Sequence, residues 1–216
     1  MTNVTDSALQ SAIKTLALPG IQISHRLISA GDEDALRPDE ARAIADYVVE
    51  RRRASAAARI VARELLGRLG YPDCSVPRAP SGAPVWPAGV VGSLAHDGRV
   101  AVAAVATRLC VEALGIDVEP AEPLPNGLLD IVATPEERLR IGNDPFAGRL
   151  LFAAKEAVYK AVYPLDGTFL EHHDVQIHLA QRKAIVCNGR SVELRYCIAN
   201  HLIAVAYLPT NPGPPR

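Results

Sequence analysis

This sequence has little net charge, few aromatics and no long apolar run, and each shortage excludes something. With a formal charge of −1 the chain has no blanket attraction to nucleic acid or anionic membranes, so any anion must be met by a local cluster of Lys and Arg. Aromatic residues make up 5% of the chain and do not interleave with its basic runs, which argues against a stacking platform for single strands. No apolar stretch is long enough to cross a bilayer. The four cysteines, Cys74, Cys110, Cys187 and Cys197, form no C-x-x-C pair and no metal-ligand spacing. They read as buried free thiols suited to a reducing cytosol. Met1 to Gln10 carries neither a basic start nor an apolar core, so no signal peptide is expected. G-x-S-x-G, Walker A and G-x-G-x-x-G are all missing, which removes hydrolase elbows, P-loops and dinucleotide folds. The expectation is a soluble cytoplasmic globular protein.

What is present is a large apolar fraction, 49% over 216 residues, enough for one large domain or two small ones sharing an interface. A strand is expected at Ile21 to Leu27. From Pro38 to Leu69, the residues Ile44, Val48, Ser55, Ala58, Ala62, Leu65 and Leu69 recur at helical steps. They predict one long helix stopped by Gly70 and Pro72. After a Pro- and Gly-rich loop, His96-Asp97-Gly98-Arg99 separates two apolar runs and predicts a hairpin. Val111 to Glu119 reads as a strand, and Thr134-Pro135-Glu136-Glu137 as a capped helix start. A second long helix is expected from Asp144-Pro145 to about Val162, ended by Pro164. Four strands follow: 174–179, 183–187, 192–198 and 201–208. Pro209 to Arg216 reads as a frayed tail. Each half thus holds a long helix and a closing hairpin, consistent with a duplicated α+β unit or with two hairpins that merely look alike.

Three groups of residues carry potential chemistry. In Gly115-Ile116-Asp117-Val118-Glu119, strand alternation sets Asp117 and Glu119 on one face, a pair that a hard cation would stabilise. Two solvated charges at a strand end are the plainer explanation. Glu156 lies on a helix that is apolar on two sides, through Leu151, Ala154, Val158 and Ala161 on one and Phe152, Tyr159 and Tyr163 on the other. A carboxylate there needs a partner, either Lys160 at i+4 or a metal shared with Asp117 and Glu119. Arg51, Arg52, Arg53, Arg59 and Arg63 lie on the first long helix, where Arg52, Arg59 and Arg63 share a side that can grip phosphates or simply be solvated. His96 falls at the hairpin turn, where a loop can offer a side chain to a ligand. His25 and His201 read as surface or strand-edge residues, and His172 and His173 point apart.

The order of these segments resembles the motif series of the Sfp-type 4′-phosphopantetheinyl transferases, in the enterobactin-synthase-type branch. The series runs Ser93-Leu94-Ala95-His96, then Gly115 to Glu119, then Phe152-Ala-Ala-Lys155-Glu156-Ala-Val-Tyr-Lys160-Ala. The Arg-rich helix, Trp86 between prolines, and Tyr163-Pro164 add to the likeness, which spans residues 40–178. It implies an α+β fold of two similar halves, 1–110 and 111–216, related by a pseudo-twofold with the active site between them. It also implies Mg²⁺ on Asp117, Glu119 and Glu156, and catalytic roles for Glu156 and Lys155. Coenzyme A would be bound by Arg51, Arg59, Arg78, His96, Lys155 and Lys160. The implied acceptor is a serine of an acyl or peptidyl carrier protein from fatty-acid, polyketide, siderophore or non-ribosomal peptide synthesis, served by a monomeric enzyme. One departure is Ala95, where Ser or Thr is usual. Two rivals stay open on the residues alone: a Mg²⁺-dependent nuclease or phosphohydrolase, and a non-catalytic coenzyme A or carrier-protein module.

Overall fold

The computed structural model describes residues 6–16 and 18–210. Residues 1–5 of the leader segment and 211–216 of the expected tail lie outside the described residues. The elements run α1 (Ser7–Lys14), β1 (Ile21–Leu27), α2 (Pro38–Arg42), α3 (Val49–Arg68), β2 (Val90–His96), β3 (Val100–Thr107), β4 (Val111–Pro120), α4 (Leu128–Val132), α5 (Pro135–Ile141), α6 (Ala147–Asp166), β5 (Val175–His178), β6 (Lys183–Val186), β7 (Ser191–Ile198) and β8 (His201–Pro209). Both sheets are antiparallel, one of order β1-β3-β2 and the other β4-β8-β7-β6-β5. The chain is therefore a mixed α/β protein with six α-helices among the described residues.

Period-two alternation explains how these elements stack. In β3, Ala101, Ala103 and Val105 face α3, meeting Ala57, Ala58, Val61, Ala62, Leu65 and Leu66. Its other residues, Val100, Val102, Ala104 and Ala106, face Leu114, Ile116 and Val118 of β4 and Ile203 and Val205 of β8. The opposite faces of β4 and β8, through Ala113, Ala204 and Ala206, pack on Leu151, Ala154, Ala157, Val158 and Ala161 of α6. The result is four layers, α3, first sheet, second sheet and α6. The inner strands read as continuous apolar runs because both of their faces are covered.

Small residues let α6 lie very close to β4. A Cβ built on Gly115 would stand 1.9 Å from the Ala157 carbonyl oxygen and 2.7 Å from the Ala161 nitrogen. Glycine at 115 is thus a packing requirement, and it fixes where α6 crosses the strand that carries Asp117 and Glu119.

Several expectations need correction. The helix expected over 38–69 is two: α2 ends at Arg42 and α3 begins after Val48, whose extended backbone (φ −58°, ψ 153°) breaks the run. The stiff Val48-Val49 pair favours this break, and Val48 is 66% exposed rather than part of the apolar face. Glu40 of α2, fully buried, then reaches Arg63 at 2.6 Å and the Val76 N–H at 2.9 Å. Pro164 does not end α6. It sits in the last turn, and Gly167, in the left-handed region at φ 71°, closes the helix. Asp144 precedes the helix and accepts the Phe146 N–H at 2.9 Å. Pro209 belongs to β8 rather than to a frayed tail. The Thr134 capping box forms as expected.

The Gly115 contact generates a prediction. Gly115→Ala must push α6 off β4, and overpacking of this kind costs about 1–3 kcal/mol or more. Urea unfolding should show that loss, and an unchanged midpoint would mean that the crossing is not rigid.

Candidate active site

Strand alternation turns Asp117 and Glu119, with Gly115, toward α6, and Glu156 faces them from the residue before Ala157. Asp117, 6% exposed, accepts from Lys160 Nζ at 2.6 Å. Half-buried Glu119 accepts from Arg149 Nη1 at 2.8 Å. Lys160 thus pairs with Asp117, not with Glu156 one turn back on its own helix. All three carboxyls titrate above their ordinary range, with burial the leading cause in each. Their mutual repulsion adds to it, Glu156 acting on Asp117, Asp117 on Glu119 and Glu119 on Glu156, while Lys160 and Arg149 oppose it. Among the described residues no three His, Cys, Asp or Glu side chains converge as a metal site, and two of the three carboxylates are held by cationic side chains. The donor chemistry still fits a hard cation: Asp117 Oδ2 is buried without a hydrogen-bond partner, and it lies beside two further carboxylates.

The two lysines expected at the site part company. Lys160 is half-buried and joins the carboxylate group. Lys155, 2% exposed, points the other way, donating to Glu137 Oε2 at 2.8 Å and to the His172 carbonyl at 2.7 Å. The same Glu137 accepts the N–H groups of Thr134, at 2.8 Å, and Ile177, at 2.6 Å. Burial lowers the Lys155 pKa, and Glu137 opposes that shift. Lys155, expected at coenzyme A, lines neither pocket here: it is a buried strut joining α6, α5 and the strand at Ile177. Residues 155 and 160 are five apart on a helix, so they cannot both face one site.

The basic residues gather elsewhere on the same groove. A pocket of about 180 Å³ is lined by Tyr47, Arg51, Arg59, Arg78 and His96. Arg51 lies 4.0 Å over the Tyr47 ring, a cation–π contact, and Arg78 lies 5.6 Å from it on a hydrogen bond to the Tyr47 hydroxyl. Arg59 is 5% exposed and anchored by the Val76 carbonyl and Ser55. Its pKa is lowered, first by burial and then by Arg63 and Arg78, with Glu40 opposing. Of the expected trio Arg52, Arg59 and Arg63, only Arg59 lines this pocket, since Arg63 is taken by Glu40. His96 is exposed at the hairpin yet crowded by protein. That desolvation lowers its pKa, and the charges of Lys160 and Arg51 lower it further. Ala95 points to the opposite face, into the core between the sheets, so a hydroxyl there would be buried away from His96.

A larger cleft of about 550 Å³ adjoins this pocket, sharing Arg78, Gly82, Pro84 and Leu94 with it. Trp86, Tyr159 and Tyr163 line it along with Lys160. Sequence reasoning missed Arg149, Tyr47 and the buried histidines. His25 and His201 are 1% and 3% exposed, not surface residues, because β1 and the start of β8 are covered by the facing layers. Arg149 opens the Lys-Glu helix motif, but nothing in the sequence joins it to Glu119 thirty positions away. The sequence marked Glu137 as a capping residue without showing its lysine partner.

Comparison with known proteins adds independent findings. Residues 39–106 match the family described as 4′-phosphopantetheinyl transferase N-terminal domain, and residues 113–206 the 4′-phosphopantetheinyl transferase superfamily. The chain is 40% identical over 168 residues to 4′-phosphopantetheinyl transferase Npt of Nocardia iowensis, covering 76% of this chain and 75% of that one. It is 41% identical over 144 residues to 4′-phosphopantetheinyl transferase PptT of Mycobacterium tuberculosis, covering 65% and 63%. Enterobactin synthase component D of Escherichia coli is 34% identical over 123 residues, 54% and 57%.

Two predictions follow from this geometry. Lys155→Met leaves Glu137 buried and unpaired and should cost about 3–5 kcal/mol in urea unfolding; at permissive temperature the KM for the donor substrate should stay near wild type. A specific rise in that KM with stability intact would restore Lys155 to the site. Raised folded-state pKa values mean that the native state holds these protons more tightly than the unfolded chain. The carboxyl cluster's contribution to stability is therefore full below the unfolded values near 4 and lost as pH rises through the folded values. Glu156→Gln should accordingly show a Tm at pH 7 equal to or above wild type, and a fall of several degrees would mean that the charge is structurally required.

Proposed function

Because this chain belongs to the 4′-phosphopantetheinyl transferases, we propose that it moves the phosphopantetheine arm of coenzyme A onto a carrier-protein serine in a Mg²⁺-dependent reaction that releases adenosine 3′,5′-bisphosphate. The observation that carries this reading is the continuous groove. A basic pocket opens into an apolar-walled cleft, and Lys160 links that cleft to the buried carboxylates.

In this reading Arg51 and Arg59 receive the 3′-phosphate end, and Arg78, His96 and Lys160 receive the pyrophosphate. Arg59, held by the Val76 carbonyl, serves as a fixed positive charge. The flexible arm lies in the cleft by Trp86, Tyr159 and Tyr163. The serine oxygen attacks the β-phosphorus, a Ser O–P bond forms, and the P–O bond to the α-phosphate breaks. Lys160 opposes charge on the transferring group, and His96 can donate a hydrogen bond to it. Glu156 takes the serine proton, directly or through a water. Asp117, Glu119 and Glu156 would hold Mg²⁺, which when bound neutralises pyrophosphate oxygens as a Lewis acid. Lys155 contributes by fixing α6.

The proposal has further elements. Two 20-residue helices, α3 and α6, each cover the outer face of one sheet, which supports halves of 1–110 and 111–216 related by a pseudo-twofold. The proposal includes a monomeric enzyme. Of the four cysteines expected to be buried only Cys197 is, with Cys110 and Cys187 exposed, but all four are free thiols, which supports a cytoplasmic location. The relatives' names support an acceptor among acyl or peptidyl carrier domains, siderophore assembly included.

Intact mass of an apo carrier protein, incubated with this protein, coenzyme A and Mg²⁺, should rise by one phosphopantetheine, and EDTA should abolish the gain. Glu156→Gln should lose transfer while staying folded. Coenzyme A cleavage without any acceptor would point to a phosphohydrolase instead, and near-normal turnover by Glu156→Gln would sink the base assignment.

A further inference from the structure

His201 is the first residue of β8, 3% exposed, and pairs with Pro120, beside Glu119. Its Nε2 lies 3.0 Å from Oδ2 of Asp97, in the β2–β3 turn of the other sheet. The second Asp97 oxygen accepts the N–H groups of Arg99, at 2.6 Å, and Val100, at 2.7 Å, and the Asp97 N–H bonds the Val100 carbonyl at 3.0 Å. Both oxygens of this carboxylate are thus used, one to shape the turn and one to fasten it to the second sheet. The remaining ring nitrogen of His201, Nδ1, is buried with no partner among the described residues, so the ring's polar contact goes to Asp97. Desolvation would raise the Asp97 pKa, but the His201 bond and the turn N–H groups outweigh it, and the pKa is lowered. Asp97 is also close enough for its charge to act on Glu119.

The residue before Asp97 is His96, which lines the basic pocket. His96 sits in the first sheet, whereas Asp117 and Glu119 sit in the second, so their separation depends on how the turn is held across the seam. We propose that His201 is a positioning residue for the transferase reaction: through Asp97 it clamps the β2–β3 turn to β8 and so holds His96 at the distance from the carboxylate group that coenzyme A phosphates require. His201 itself does not touch substrate. The inference rests on the functional reading above. Without the clamp, a largely buried carboxylate loses its partner beside Glu119 and the turn is freed, weakening the phosphate contact while the carrier-protein surface is untouched.

Titration calorimetry of coenzyme A into wild type, His201→Ala, His96→Ala and the double variant tests this, with Tm recorded for each. Either single change should weaken binding about tenfold, and the double should be no weaker than His96→Ala alone, because one path carries both effects. His201→Gln, which keeps a donor toward Asp97, should recover most of the affinity, and the KM for carrier protein should not move. Should His201→Ala fail to fold, Asp97→Asn keeps the turn acceptor, loses the carboxylate, and should show the same coupling to His96. Additive losses, or unchanged coenzyme A binding by His201→Ala in an otherwise active enzyme, would overturn the clamp alone. A wild type that binds no coenzyme A would overturn the functional reading and the clamp with it.

Discussion

The site depends on the crossing of α6 over β4 at Gly115. Only a residue without a side chain lets the Ala157 carbonyl come that close, and the closeness has electrostatic consequences. It presses Glu156 and Lys160 against Asp117 and Glu119 in a place where burial pushes every carboxyl toward its protonated form. Packing of small residues therefore stores an unfavourable concentration of like charge, which Lys160 and Arg149 relieve in part. An arrangement that weakens the fold is the kind found where charge is to be used in chemistry.

Around that crossing several ion pairs are closed off by their own hydrogen bonds. Lys155–Glu137, Arg26–Asp32 and Arg63–Glu40 are deeply buried or nearly so, and each carboxylate is also hydrogen-bonded to backbone N–H groups. Such pairs have no capacity left for a ligand. Lys160, Arg51, Arg78 and His96 instead border open space, and the positive charges of Lys160 and Arg51 lower the His96 pKa. The groove runs from a cationic end to an apolar one, matching a donor that is polyanionic at one end and a flexible thiol chain at the other.

Much of the fold was legible in the sequence, for reasons particular residues show. The inner strands could be read because alternation or unbroken apolar runs betray burial on one or both faces, as in Val100 to Ala106. The Thr134 cap could be read because its signal is local. The break at Val48 and the continuation of α6 past Pro164 could not, since helical spacing of apolar residues carries across the first and a proline in the last turn does not mark where the second stops.

For the site, the sequence by itself determined which groups are available. The spacing of Asp117 and Glu119 puts both on one strand face, and the order of the three motifs identifies the family. Only the tertiary structure decided which lysine borders the groove. Lys155 and Lys160 look alike in sequence, but their five-residue separation points one into the core and the other into the groove. It likewise decided that His201, far along the chain, is buried against Asp97. Contacts between residues over a hundred positions apart depend on how two sheets stack, and no local pattern of side chains encodes that distance.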